Sequence, residues 1–373
     1  MAIQIKEVQT KKDLKNFVLF PYKLYKKNKY WIPHLIKDEL ETLMSDKNPA
    51  FEYCEAKFWL ALKDNKIVGR IAGIINHKYI EKWNKKYAGF SRFDFIDDEE
   101  VPRLLLDILE SWAKSKDLEG VHGPIGFTNF DHQGMLVEGF DELPTIASTY
   151  NFDYYPKHIE KLGYQKNVDY IEFEAKVPKS IPEKAERIAK IVIKKNKLKL
   201  VKAKSKKELL PYARPIFDVI NAAYSPLFSS VELSEELIDM FIKKYFSFIF
   251  PEYVTIVMNE NEKVIGFQIA MPSLSKAFQK ANGRLFPFGF VHILRALKKP
   301  KYLDLYLVGI LPAYQSKGIS AIFMNDLTKI AIAKNIISAE TNSELEDNTK
   351  VQDFWKYYDA RQHKRKRIYV KKF

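Results

Sequence analysis

Apolar runs broken by short polar turns divide the chain into two series of elements with the same order. In the first, a short strand at 3–8 precedes an amphipathic helix from Lys12, with helical material reaching about Met44. Strand-like runs at 57–63 and 66–76 flank Asp64-Asn65, a pair suited to a tight hairpin. A strand at 89–96 leads into a helix at 100–116. The acids before that helix, Asp97, Asp98, Glu99 and Glu100, suit the positive end of its dipole. A strand at 120–123, a loop rich in Gly, Asn and Asp, a helix at 155–162 stopped by Gly163, and a strand at 168–175 complete the series. Residues 176–182 read as a link. Ser180 and Glu183 form a capping box for a bridging helix, with Pro182 in its first turn.

The second series has a strand at 197–203, helices at 208–224 and 234–248, and strands at 253–259, 264–272 and 302–310. A helix at 318–334, a strand at 336–341, a helix at 349–358 and a strand at 367–372 follow. The pattern predicts an α/β (α+β) protein of two domains, 1–178 and 179–373. Each is a mixed, mainly antiparallel sheet with helices on both faces. A length of 373 residues suits two domains.

Charge changes the picture because it is regional. The whole chain carries +14, but 181–207 alone carries +9, and 276–301 and 361–373 carry +7 each with no acid. The rest of the chain is therefore net acidic. Such clusters suit an anionic partner: a phosphorylated cofactor, an anionic membrane or nucleic acid. Segment 276–301 mixes its cations with Leu, Phe and Ile, which fits a helix lying on a bilayer surface or one covering the second sheet. Nucleic acid is not expected, since no aromatic-basic reading motif is present. The single cysteine, Cys54, permits no disulfide and reads as a buried filler. With the opening MAIQIKEVQTKK lacking an apolar leader, the expected setting is cytoplasmic, with peripheral contact at the inner face of the membrane. His122 and His132 fit no zinc spacing, so no metal is expected.

The most informative stretch runs from Leu303 to Ser320. A buried strand enters a tight turn containing Gly318, and a helix starts there. Open backbone N–H groups at a helix N-terminus bind anions, and Lys317 adds charge. Gln315-x-x-Gly318-x-Ser320, two residues after Pro312-x-Tyr314, resembles the coenzyme A pyrophosphate loop of the GNAT superfamily, Gln/Arg-x-x-Gly-x-Gly/Ala, departing from it at Ser320. The resemblance extends along the chain through Gly123-Pro124, 134–141, Tyr150-Asn151, Tyr154-Tyr155, Leu162-Gly163-Tyr164, 345–348 and 366–369. This ordered set is similar to a bacterial family of tandem GNAT-like proteins that includes the bacterial ceramide synthases.

The resemblance implies an acyltransferase that joins an acyl group from acyl-coenzyme A to a primary amine, a small molecule or a lipid such as a sphingoid base. It implies cofactor contacts at Ile310, Gln315, Ser316, Lys317, Gly318, Ile319, Ser320 and Asn348. Asp304, eleven residues before Gln315, stands where many such enzymes place a catalytic carboxylate, and Glu340 and Glu346 are rivals for that role. A base is needed because an amine is mostly protonated at neutral pH. The superfamily's tyrosine that protonates the leaving thiolate falls on Trp355, which cannot do so and points to unassisted departure. His132, Tyr150, Tyr154 and Tyr155 are candidates to line the acceptor site. The first half has four acids where the second has its turn, so it reads as a degenerate partner. The alternatives are a tandem GNAT transferase with another donor, such as an aminoacyl-tRNA, and a non-catalytic acyl-CoA- or lipid-binding module.

Overall fold

The computed structural model describes residues 2–181, 183–352 and 355–373, the side chain of Lys350 excepted. Pro182, expected in the bridging helix's first turn, lies outside the described residues. The first half runs β1 (Gln4–Glu7), α1 (Lys11–Leu24), α2 (Ile36–Thr42), β2 (Cys54–Lys63), β3 (Lys66–Asn76), α3 (His77–Trp83), β4 (Tyr87–Phe95), α4 (Glu100–Lys114), β5 (Gly120–Gly123), β6 (Met135–Glu138), α5 (Tyr154–Lys161) and β7 (Gln165–Lys176). The second runs α6 (Glu183–Lys195), β8 (Lys199–Val201), α7 (Lys206–Leu209), α8 (Ala213–Tyr224), α9 (Glu235–Tyr245), β9 (Val254–Met258), β10 (Val264–Pro272), α10 (Ser275–Ala281), α11 (Gly289–Lys298), β11 (Tyr302–Ile310), α12 (Ile319–Ala333), β12 (Ser338–Thr341), β13 (Glu344–Leu345), α13 (Thr349–Gln352) and β14 (Ala360–Lys372).

Local chemistry explains many of these boundaries. The Thr10 hydroxyl accepts from the Asp13 N–H at 3.1 Å, and the Asp13 carboxylate accepts back from the Thr10 N–H, closing a capping box on α1. Asp64 and Asn65 both take positive φ, as the two-residue turn between β2 and β3 requires. Helix α4 buries Val101, Leu105, Leu109 and Trp112 at helical spacing. Its partner β3 offers Gly69 and Gly73, where a Cβ would come within 2.6 Å of Val101 and Leu109 respectively. Glycine at both positions therefore allows the helix to sit close on the sheet.

Strand pairing runs without a break in the order β1-β2-β3-β4-β5-β14-β7-β12-β11-β10-β9-β8. Among the described residues, only β4·β5 and β11·β12 are parallel. The closing strand of each half crosses over. β7 pairs with β12 of the second half, β14 pairs with β5 of the first, and β7 and β14 pair with each other. The two mixed sheets expected for the two halves are thereby joined edge to edge. The largest apolar cluster also spans both halves, bringing Phe17, Leu60 and Ala72 together with Val219, Leu237, Phe267 and Ile269. Cys54 is buried within it.

The basic run 361–373 departs from expectation. Instead of a short strand at 367–372 there is a thirteen-residue β14 that takes the run into the sheet. Lys364 and Lys366 point to one face, where both meet Glu172 of β7, at 3.1 and 2.9 Å. Arg365 and Arg367 point to the other face and meet Asp169 at 3.1 and 2.8 Å. Much of this cluster's charge is thus matched inside the fold and is not offered to an outside anion. Of the helix expected at 349–358, the described residues show the turn α13 and a 3₁₀ turn at Trp355–Tyr357, and positions 353 and 354 between them lie outside the described residues. Among the described residues, no helix is long and apolar enough to cross a membrane.

Candidate active site

β11 pairs with β12 only from Tyr302 to Leu305. Past that point β11 continues to Ile310, while the other chain leaves the sheet direction after Thr341 and forms β13 against β7. A bulge in the β10·β11 register, with Ile269 opposite Leu307 but Ala270 opposite Leu305, bends β11 at this place. A wedge therefore opens inside the sheet. Val308 is 47% exposed there although its strand is central. The carbonyls of Tyr306 and Val308 accept from the Asn342 side-chain amide at 3.2 Å and the Tyr224 hydroxyl at 2.9 Å.

The wedge leads to the turn before α12. Ser316 and Gly318 both have positive φ. A Cβ on Gly318 would lie 2.8 Å from Val192, so conformation and space both call for glycine. No side chain caps α12, which leaves its first N–H groups open to an anion. Ile319 anchors the helix in a small core with Ala189 and Phe323. Gln315, Ser316, Lys317 and Ser320 remain exposed. Gln315 holds the loop by donating to the Ile310 carbonyl at 3.2 Å, and Lys317 lies over the Tyr314 ring. Of the expected cofactor residues on this stretch, Gln315, Ser316, Lys317 and Ser320 are exposed and Ile310 and Gly318 are half-buried, whereas the Ile319 side chain is buried behind the turn and leaves only its backbone N–H for a ligand. Asn348 heads α13, its N–H donating to the Leu345 carbonyl at 3.0 Å.

At the inner end of the wedge Asp304 is buried. Its register partner across the parallel pair is Glu340. Burial, then the charge of Glu340, pushes the Asp304 carboxyl up to about 8, against the pull of the Ser273 hydroxyl and the Lys364 ammonium. Glu340 is itself bound by Lys364, and His363 lies 3.4 Å away. Lys364 bridges Glu340 to Glu172, and Glu172 also accepts from the Ser148 and Ser343 hydroxyls at 2.8 Å. Glu172, Glu340 and His363 come within 4.8 Å of one another, but the Lys364 ammonium already bridges the two carboxylates where a cation would sit. Of the rivals, then, Glu340 stands beside Asp304. Glu346 does not. It pairs with Lys166 and Arg365, and Arg365 lies on the opposite face of β14 from Lys364.

In the first half, a pocket opens beside the matching stretch of β4, at Ser91–Asp94. It encloses about 820 Å³ of empty space, counting its solvent-open mouth. His132, Tyr150 and Tyr155 line it, as expected of acceptor residues. Tyr154 does not line it. Its hydroxyl donates instead to the Phe95 carbonyl at 2.7 Å, because it starts α5 facing that strand. Neither charge nor periodicity marked the other polar walls. His132 packs against His34 with ring centroids 4.1 Å apart, and burial lowers both imidazoles, so they are neutral at physiological pH. Burial opposes ionisation of Glu39, but the Arg92 guanidinium overrides it and holds the carboxyl at about 2. Ser148, also on the wall, is the residue that donates to Glu172. A hydrogen-bonded path therefore joins this pocket to the Asp304 cluster through Glu172, Lys364 and Glu340.

The four acids ahead of α4 are all engaged. Asp97 meets His158 at 2.7 Å, Asp98 meets Lys63 at 2.9 Å, Glu99 meets Lys161 and Glu100 meets Arg103 at 3.5 Å. Trp355 donates its indole N–H to Glu344 at 3.0 Å, and burial pushes that carboxyl up to about 7.

Comparison with known proteins agrees with this geometry. No family model matches the chain. Protein YghO of Escherichia coli is 28% identical over 369 residues, covering 97% of this chain and 93% of that protein. The bacterial ceramide synthase of Caulobacter vibrioides is 25% identical over 318 residues, covering 83% of this chain and 80% of that one. A tandem GNAT protein from the clavulanic acid biosynthesis pathway superposes with a TM-score of 0.56 at 9% identity, covering 100% of this chain and 98% of that one. The molecule has the tandem GNAT fold, with a mixed, mainly antiparallel sheet. In sequence it is similar to the bacterial ceramide synthase along most of its length.

Proposed function

We propose that this protein is a GNAT-type N-acyltransferase that moves an acyl group from acyl-coenzyme A to a primary amine. The observation that carries the reading is the wedge along β11, which runs from buried Asp304 to the uncapped N-terminus of α12. In this reading residues 179–373 hold the donor and residues 1–178 supply the acceptor pocket. The pyrophosphate lies on the N–H groups between Gln315 and Ser320, and Ile310 and Asn348 flank the pantetheine arm. The thioester supplies an activated carbonyl. Asp304 takes one proton from the ammonium, the free amine forms the C–N bond, and the C–S bond breaks to release the thiolate while the second nitrogen proton passes to solvent. A carboxyl near 8 is poised for this exchange close to neutral pH. Trp355 offers no acid, so the thiolate leaves unassisted.

The acceptor in this reading is a long-chain amine of sphingoid type, entering the pocket lined by His132, Tyr150 and Tyr155. The ceramide synthase relative and the apolar lining from Trp31, Ile32 and Phe93 support it. A cytoplasmic protein meeting the inner face of the membrane suits such a substrate. An RNA-borne donor is disfavoured by the internal pairing of the 361–373 cations. The test is incubation of the purified chain with a long-chain acyl-coenzyme A and sphinganine, following thiol release and amide by mass spectrometry. Equal rates of thiol release with and without any amine would overturn the proposal.

A further inference from the structure

The hairpin of α10 and α11 leaves an apolar tip in water. Phe286 and Phe288, in the connecting loop, are 75% and 74% exposed. Phe290 and Leu294, one turn apart on α11, are exposed beside them, with the Phe286 and Phe290 rings 5.7 Å apart. The neighbouring stripe of α11 is satisfied, since Gly289 and Ile293 are buried and Ile293 packs with Met271, Leu274 and Ala277. The tip is therefore surplus to the core. Such large exposed apolar side chains, set together, mark a contact with something else.

What they contact is indicated by charge. No Asp or Glu lies between Glu262 and Asp304. Arg284 lies just before the tip and Arg295, Lys298 and Lys299 follow along α11, all exposed, and among the described residues none has a carboxylate within ion-pair distance. Unpaired cations along the same hairpin as bulky exposed apolar residues match a bilayer with anionic headgroups, where the rings sit at the acyl boundary and the cations at the phosphates.

The hairpin is also fixed to the acceptor pocket. Gln279 donates to the carbonyls of Lys29 and Trp31 at 2.8 and 3.2 Å, and the Ile36 N–H donates to the Gly283 carbonyl at 3.0 Å. Trp31, Ile32 and His34, in the strap thus clamped, line the pocket. We infer that the α10–α11 hairpin docks on an anionic lipid bilayer, inserting Phe286, Phe288, Phe290 and Leu294, and so holds the strap that lines the first-half pocket against the membrane. The inference rests on the lipid-acceptor reading for the nature of what the membrane supplies.

The test is flotation of the full chain with vesicles of phosphatidylcholine plus phosphatidylglycerol, and with phosphatidylcholine alone. The unaltered protein is expected to float with the anionic vesicles only. Phe286→Ser/Phe288→Ser is expected to weaken that partition roughly tenfold or more, and Lys298→Glu/Lys299→Glu to a similar degree. These side chains are on the surface, so melting temperature and coenzyme A affinity should not change. Failure of the unaltered protein to float, or undiminished flotation of the Phe variant, overturns the inference. So does a dimer in solution that the Phe variant splits without loss of vesicle binding, which makes the tip an interface between copies. Thiol release with a water-soluble amine separates the two readings. If the protein floats but no amine is acylated, the docking stands and the acyltransferase reading fails.

Discussion

Asp304 and Glu172 are two buried carboxyls that meet opposite fates a few ångströms apart in the same network. Glu172 faces two ammonium groups, which override its burial and hold it well below the usual carboxylate range. Asp304 faces Glu340 instead and is held up near 8. The signs follow. Glu172 stabilises the fold above the unfolded value near 4.5, and that contribution is lost as pH falls towards its lower folded value. Asp304 behaves inversely. Below its unfolded value near 3.8 it costs nothing, and the penalty for ionising it builds as pH rises from there to about 8. Asp304→Asn should therefore raise the melting temperature at pH 8 and leave it unchanged near pH 3.5, as followed by circular dichroism. The same variant should lower turnover by a factor of about 10²–10⁴ and remove the rate increase expected through pH 8. Normal turnover in Asp304→Asn with loss in Glu340→Gln would move the base to its neighbour. Lys364→Met leaves Glu340 and part of Glu172 uncompensated in the interior. Urea unfolding should show a loss of about 3–5 kcal/mol, partly restored when Glu172→Gln is added.

Between β11 and α12, a strand stops pairing on one side before it ends. Leu303 to Leu305 are held on both sides, Tyr306 is skipped at the bulge, and Leu307 to Ile310 keep only β10, so the freed edge faces the wedge. Gly318 completes the path. Gly318→Val should abolish measurable coenzyme A binding by calorimetry, because a β-branched residue resists positive φ and its side chain meets Val192. Gly318→Ala should retain weak binding. Retained affinity in the valine variant would exclude this turn as the phosphate site. The turn was legible in the sequence because strand, Gly-containing turn and helix start are contiguous. The Lys364 network was not. Its one local signal was the alternation of β14, in which Lys364 and Lys366 continue the buried face of Ile368. Four cations in a row otherwise read as solvated surface, since an unpaired charge is not buried. Two of their partners, Asp169 and Glu172, lie nearly 200 residues away.

The crossed closing strands make the molecule one cooperative unit. β14 is held by β5, β6 and β7 together, and β7 by β12, β13 and β14. Truncation before Ala360 should therefore unfold more than the C-terminus. Limited proteolysis is expected to cut the first half as readily as the second, and residues 1–178 expressed alone should lack stable structure. A protease-resistant 1–178 fragment would refute this. The order of elements, the hairpin turn at Asp64-Asn65, the amphipathic α4 and the turn at Gly318 were determined by residues adjacent in the chain. Each rests on propensity, period or backbone conformation, which act over a few positions. The exchange of β7 and β14, the pairing of Asp304 with Glu340 and the path from Ser148 to Lys364 were decided by tertiary packing. Strand partnership and pKa depend on which distant side chains share a face, and no local pattern encodes that distance.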